Sequence, residues 1–272
     1  MTDISVARPA TGGCREVLAL ESWGTPYFAC LPAHIHPDTP VLVSVHGISR
    51  NAREHAESFG ALPDARDMLI VAPLFEAERF PRYQRIAQPG RPGRADLALE
   101  AVLAAVADSF GVDVRRIILN GYSGGAQFAH RYAFCHPERV AALGLAAAGW
   151  YTFPDKSVVY PRGLKRMGVG GLSGHVPAAL RIPTLVAVGD LDVEQDPALR
   201  RTGSIDGQQG TTRLDRAERW TGAMRALAGA AGLPDVFEMI VLPRTGHSFE
   251  AAMDPEAGNY GERFLKFVRH SM

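Results

Sequence analysis

Five stretches of this chain are apolar almost without a break: PVLVSVHG (40–47), DMLIVAP (67–73), RIILN (116–120), ALGLAAAG (142–149) and TLVAVGD (184–190). Short runs rich in Val, Ile, Leu and Ala that lack polar alternation are expected of strands buried on both faces. A sixth run, FEMIVLP (237–243), lies nearer the end. Helical segments separate them, at 51–62, 95–110, 124–135 and 213–230, and a last one closes the chain at 260–270. In 95–110 the residues Leu97, Leu99, Val102, Leu103, Val106 and Phe110 recur at three- and four-residue steps, and Gly111 ends the pattern. Strands alternating with helices imply a parallel sheet covered on both faces by right-handed crossovers. Residues 16–31, with two apolar stretches flanking Gly24 and Pro26, add an antiparallel pair in front. The expected fold class is α/β, a mostly parallel twisted sheet of about eight strands, and 272 residues suit a single domain spanning 1–272.

One segment departs from this rhythm. Between 150 and 182 there is no clean helical period, and Gly163, Gly168, Gly170, Gly171 and Gly174 are interspersed with Pro154, Pro161 and Pro177. Long irregular segments in compact domains often carry lids or binding elements, so 150–182 reads as a cap or lid excursion, with a plain surface excursion as the alternative.

The charge balance, 29 basic against 29 acidic residues, gives no electrostatic case for nucleic acid or for an anionic membrane surface. Three cysteines, Cys14, Cys30 and Cys135, are too few and too scattered for a disulfide framework or a zinc site, although one pair is open to them. His34 and His36 form an H-I-H pair with no third ligand nearby, and no metal is expected. The first residues lack a basic then apolar leader pattern, and no run is long enough to span a membrane, so the cytoplasm is the default expectation.

The chemistry is concentrated in G-Y-S-G-G, 121–125, set directly after the buried run RIILN and directly before a helical segment. A serine at such a strand-to-helix turn sits in a tight, strained bend, and its neighbours must lack bulk for the chain to fold back. The bland alternative is a glycine-rich turn that only packs a helix on a strand. A serine hydroxyl is a weak nucleophile at neutral pH, so a base must take its proton and a third group must orient that base.

In this context the acid and then the histidine are expected later in the chain. Of the histidines after Ser123, His247 stands in T-G-H-S-F just beyond the last strand, His175 lies in the irregular segment, and His270 lies on the terminal helix. His247 is the expected base, with His175 as the alternative. G-D-L-D after TLVAVG offers Asp190 and Asp192; Asp192, at the tip of the expected turn, is preferred as the acid. The oxyanion of acyl transfer needs preorganised N–H donors, expected from Gly124 and from Ile48 in H-G-I-S. His46 in that loop reads as structural.

Taken together, H-G after the third strand, N-G-Y-S-G-G after D-V-R-R-I-I-L, G-D-L-D, and the late T-G-H resemble the α/β-hydrolase superfamily from residue 40 onward. S-R-N-A after H-G, and A-P-L-F followed by F-P-R-Y, are similar to the poly(3-hydroxybutyrate) depolymerase and feruloyl-esterase-like group. The resemblance implies an α/β-hydrolase fold, an ester substrate, an acyl-enzyme on Ser123 and no cofactor. Secreted depolymerases of that group carry a leader, disulfides and an added substrate-binding domain, none of which this sequence displays. A small or oligomeric ester is therefore the expected partner. Tyr122, Tyr83, Trp150, Tyr151 and Phe153, with Phe80, are candidate pocket walls, and plain core is the alternative for each. Two rival functions share the same residues: an amide, thioester or peptide hydrolase with the same triad, and a catalytically silent ligand-binding protein. Oligomeric state has no sequence signature here.

Overall fold

The apolar runs become the strands of one eight-stranded sheet in the computed structural model, which describes residues 17–86, 93–167, 175–194 and 197–272. They are β1 (Val17–Ser22), β2 (Thr25–Cys30), β3 (Val41–Val45), β4 (Leu69–Pro73), β5 (Ile117–Tyr122), β6 (Val140–Ala146), β7 (Thr184–Gly189) and β8 (Phe237–Leu242). Their spatial order is β1-β2-β4-β3-β5-β6-β7-β8; β2 pairs antiparallel with both neighbours and every other pairing is parallel. The hairpin between β1 and β2 turns on Trp23 and Gly24, both at positive φ (56° and 65°), the backbone that matches the twist of paired strands.

The helices are α1 (Ala52–Gly60), α2 (Ala95–Phe110), α3 (Gly124–Cys135), α4 (Val176–Ala179), α5 (Gly203–Gln209), α6 (Arg213–Ala230), α7 (Phe249–Met253) and α8 (Tyr260–Ser271). Alternate strand residues point to opposite faces, so Val41, Val43, Val45, Ile117 and Leu119 meet α2, α3 and α6 through Leu99, Val102, Phe128, Tyr132, Trp220 and Met224. On the other face Leu42 and Ile118 meet Phe59 of α1 and Phe264, Leu265 and Val268 of α8. This is the two-sided burial that the unbroken apolar runs require. No helix among the described residues is long and apolar enough to cross a membrane.

Several expectations are corrected. β5 runs past Asn120 to Tyr122, which carries the strand up to the serine, and β6 starts at Val140 and stops at Ala146, where Ala147 turns to a φ of 51°. Leu97 is 46% exposed, because the buried stripe of α2 runs through Ala98, Leu99, Val102, Leu103 and Val106, and Leu97 lies off it. The short helices α4, α5 and α7 lie in stretches with no legible period; α5 and α7 are held by Thr202 and Ser248, whose side chains accept the N–H groups of Ile205 and Ala251. Cys30 and Cys135 are buried, and Cys14 lies outside the described residues. The 150–182 excursion is described only in part: residues 168–174 lie outside, and α4 lies near its end.

Candidate active site

Parallel register brings the carboxyl ends of β3, β5 and β6 level, with Val45 opposite Gly121 and Tyr122 opposite Ala146, and Ser123 follows at that edge. Its φ of 53° and ψ of −112° are strained for a residue with a side chain, and they turn the strand directly into α3. The glycines make this bend sterically open. A methyl group at Gly121 would stand 2.3 Å from the carbonyl of Gly125, and one at Gly125 would stand 2.0 Å from the Val45 oxygen. Ser123 N–H donates to the Ala146 carbonyl at 2.8 Å, tying the turn to β6, while the serine itself keeps 8% of its surface open.

The hydroxyl of Ser123 lies 3.0 Å from His247 Nε2, and His247 Nδ1 lies 2.8 Å from Asp192 Oδ2. Side chains 124 and 55 positions apart in sequence thus form one hydrogen-bonded run. His175, the alternative base, caps α4 in the irregular segment instead. Asp190, the alternative acid, is exposed and accepts the Thr245 N–H at 3.0 Å; that N–H, with the one from Arg244, holds its carboxyl below the usual range. Asp190 therefore anchors the loop that carries His247 rather than touching the imidazole. Packing draws the same loop tight, since a methyl group at Gly189 would stand 1.9 Å from the Thr245 oxygen.

Sequence reasoning missed Arg213. Its Nη1 donates to Asp192 Oδ1 at 2.9 Å, and both side chains are 1% exposed, so the carboxylate is gripped on one oxygen by Arg213 and on the other by His247. A buried carboxylate needs such a partner to stay ionised. Its only local sequence signal is the Thr212 capping box that opens α6, which says nothing of where Arg213 reaches. Beneath the imidazole lies Tyr122, ring centroid 5.6 Å away and nearly parallel, with Phe249 edge-on to Tyr122 at 5.4 Å. Burial, with the Asp192 charge adding, raises the Tyr122 hydroxyl pKa far above its ordinary value.

Gly47 and Ile48 lie against the nucleophile turn: a methyl group at Gly47 would stand 3.5 Å from Ser123 Cβ, and one at Gly124 would stand 3.5 Å from Ile48 N. Among the described residues neither Ile48 N–H nor Gly124 N–H has a hydrogen-bond partner. His46 braces the loop. Its Nδ1 donates to the Gly47 carbonyl at 2.7 Å and its Nε2 accepts the Phe75 N–H at 3.0 Å, a pairing that fits the neutral ring, and burial lowers its pKa to about 4. The Tyr83 hydroxyl donates to the His46 carbonyl at 2.7 Å.

A second serine–histidine pair exists and is of a different kind. Ser44 Oγ lies 2.8 Å from His55 Nδ1, accepts from Asn120 Nδ2 at 2.9 Å, and continues to Tyr260 through the Asn120 oxygen at 2.6 Å. All four side chains are fully buried, so this network ties β3, β5, α1 and α8 together and offers a substrate no access.

The aromatic walls divide. Tyr83 (2% exposed) and Tyr151 (0%) offer almost no surface, a correction to their place among the pocket residues. Tyr151 stacks on Trp220 at 4.8 Å and its backbone is clasped by the Gln209 amide, so it is core at the crest of the sheet. Phe80 (4%) packs edge-on against Phe75 and is core as well. Phe153 is partly exposed, and Trp150 retains 5%. The open cleft beside the imidazole is lined by Leu191, Asp192, Glu194, Gly246 and His247, and the apolar residues Ile48, Leu191 and Val193 are 55%, 58% and 44% exposed. Among the described residues no three His, Cys, Asp or Glu side chains gather as metal ligands, and His34 and His36 lie in an irregular, partly exposed stretch.

No protein-family model matches the sequence, and no curated protein matches it. Solved structures do. A poly(3-hydroxybutyrate) depolymerase from Bordetella parapertussis is 26% identical with a TM-score of 0.75, the match covering 96% of each chain. A poly(aspartic acid) hydrolase from Sphingomonas sp. KT-1 is 24% identical with a TM-score of 0.76, over 95% of this chain and all of that one. An S-formylglutathione hydrolase from Agrobacterium tumefaciens, 15% identical, reaches a TM-score of 0.62 over 99% of both. By strand order, by the turn that carries Ser123 and by likeness to these structures, this chain has the α/β-hydrolase fold.

Proposed function

We propose that the protein is a serine hydrolase that cleaves carboxylic esters through an acyl-enzyme. The observation that carries this reading is the unbroken run from Asp192 through His247 to Ser123, with distances of 2.8 and 3.0 Å. His247 Nε2 takes the Ser123 proton as Oγ attacks the ester carbonyl, and the imidazolium returns it to the departing alkoxide. Water activated by the same nitrogen then releases the acid. Asp192 fixes the tautomer with the proton on Nδ1 and stabilises the imidazolium, while Arg213 holds Asp192 in place. The N–H groups of Ile48 and Gly124 receive the negative charge that develops on the carbonyl oxygen. None of these steps draws on a cofactor. Residues 1–272 act as a single domain in this reading, and the exposed Ile48, Leu191 and Val193 suit an ester with apolar parts at the mouth.

The test is Ser123→Ala assayed on p-nitrophenyl esters. Turnover should drop by roughly six powers of ten, because loss of a triad nucleophile removes the covalent route without opening a large cavity. The wild type should also be labelled at Ser123 by a fluorophosphonate probe. Undiminished turnover in the variant would remove the assignment, and absence of labelling would favour a silent binding protein. A second reading has one specific support: a structural neighbour is named for poly(aspartic acid), whose units are joined by amides rather than esters. Matched p-nitrophenyl esters and p-nitroanilides separate the two, and the ester reading expects the esters to be turned over faster.

A further inference from the structure

Ser123, Gln127 and Arg131 stand four residues apart, so they share one stripe of α3 that begins at the nucleophile. Gln127 lies against the crest beyond β6, where a methyl group at Gly149 would stand 3.0 Å from its Nε2. Arg131 is completely buried. Its Nε donates to Thr152 Oγ1 at 2.8 Å and its Nη1 donates to the Gln84 carbonyl at 2.5 Å, but among the described residues its Nη2 has no hydrogen-bond partner and no carboxylate pairs with it. Its guanidinium lies 4.5 Å over the ring of Trp150, and that of Arg85 lies 5.8 Å from the same ring. Arg85 is only partly buried and has no acidic partner among the described residues. The backbone of Arg200, an exposed residue, is drawn to this place because Arg216 Nη1 donates both to the Gly149 carbonyl at 2.5 Å and to the Arg200 carbonyl at 3.1 Å.

Cations at this spacing work against one another. Burial, then Arg200 and Arg82, pull the Arg85 pKa below its ordinary value, and burial brings Arg131 down to about 10. In a chain of formal net charge zero, guanidinium groups collected around one indole, with no carboxylate paired to them among the described residues, are a local excess that folding alone does not call for.

We propose that Arg85, Arg200 and the buried Arg131, with Trp150 between them, form a subsite for a carboxylate carried by the ester substrate. The inference rests on the ester-hydrolase reading above and names the substrate class within it. Guanidinium forks match a carboxylate in two-point geometry, and a partly dry setting strengthens the contact. Eight residues of helix separate Ser123 from Arg131, a rise of roughly 12 Å, and an arginine side chain leans back toward the helix start. The charge therefore belongs several bonds from the scissile carbonyl, as in the half-ester of a medium-chain dicarboxylic acid or an oligoester with a free acid end.

The experiment compares the p-nitrophenyl half-esters of adipic and suberic acid with p-nitrophenyl hexanoate and octanoate, using the full-length protein. A matched pair carrying the charge on the other side, 4-carboxyphenyl hexanoate against phenyl hexanoate, tells whether the acid or the alcohol part occupies the subsite. We expect kcat/KM for one charged class to exceed that of its neutral match by roughly tenfold or more, the usual scale of a charge-assisted contact. KM for the charged ester should rise with ionic strength. In Arg85→Met and in the exposed Arg200→Gln, the charged-to-neutral ratio should fall several-fold toward one, and Arg85→Lys should restore part of it. A ratio near one in the wild type, or ratios that none of these variants moves, overturns the subsite while ester hydrolysis stands. Loss of activity on the neutral and charged esters alike in the wild type would instead fail the ester reading itself.

Discussion

The two halves of the site are held by opposite means. On the nucleophile side everything is backbone and near in sequence: Gly121 and Gly125 pack within 2.3 and 2.0 Å of other main-chain atoms, counted from the methyl each lacks, and Ser123 can adopt only the bend they leave. On the acid and base side the contacts are side chains from distant segments. Asp192 is held by Arg213, His247 rests on Tyr122, and the His247 loop is tied to β7 through Asp190 and Thr245. Ser123 is thus placed by what is absent from its neighbours, and His247 by what distant residues supply. Damage should differ accordingly: in the first half a substitution at the glycines breaks the fold, and in the second a substitution breaks the chemistry.

Apart from loss of the Ser123 hydroxyl itself, the largest expected effect falls on the second half. Asp192→Asn keeps the shape of the side chain but loses the acceptor that, in the proposed triad, fixes the His247 tautomer, so kcat should fall by about four powers of ten. Asp190→Asn touches only backbone N–H groups, chiefly those of Thr245 and Arg244, and should stay within roughly tenfold of wild type. Steady-state kinetics on one ester, with circular dichroism to show that both variants are folded, make the comparison. Equal losses in the two would mean that the loop as a whole, rather than the Asp192 carboxylate, orients the base.

In the first half, Gly125→Ala should act on stability. The added methyl meets the Val45 carbonyl at 2.0 Å, and backbone on both sides must shift, a cost on the order of 4 kcal/mol. Gly229→Ala in α6 is the control, since a methyl there meets nothing and should stabilise by about 0.5 kcal/mol through helix propensity. Urea melts of the two variants read the difference, and a Gly125→Ala midpoint matching wild type would show that the elbow has slack the packing denies.

The same contrast explains how much could be read in advance. The sheet was legible because burial on both faces writes an unbroken apolar run, and Ser123 because its turn is specified by five consecutive residues, 121–125. Asp192 could be preferred over Asp190 only by its place in a turn, since the Arg213 and His247 contacts that separate them come from 21 and 55 residues away. Arg213 itself lies in RLDRAERW, which reads as an exposed charged helix start, yet it is 1% exposed. Tyr83 and Tyr151 were placed at the pocket because an aromatic beyond a strand end looks the same whether it lines a cleft or fills the crest; partners such as Trp220 and Gln209 decide, and they are remote in sequence. Ser44 and His55 gave no sign of their pairing for the same reason.

The smallest effect expected is on pH dependence, and it belongs to the nucleophile side. His46 is fully buried and neutral, with Nε2 accepting from Phe75 N–H, and its pKa is lowered from 6.5 to about 4. The unfolded chain binds a proton at that ring more readily than the folded one, so stability rises with pH between about 4 and 6.5 and is complete above that window. At pH 4.5 the loss from this ring is roughly 2 kcal/mol relative to pH 7.5. His55 and His130, also buried and lowered, act in the same direction. Urea midpoints of wild type and His46→Gln at pH 7.5 and 4.5 test the assignment. The variant should start less stable, because the brace between Gly47 and Phe75 is disturbed, but it should lose less on acidification. Parallel losses in the two proteins would move the acid sensitivity off the His46 loop and onto the buried histidines of α1 and α3.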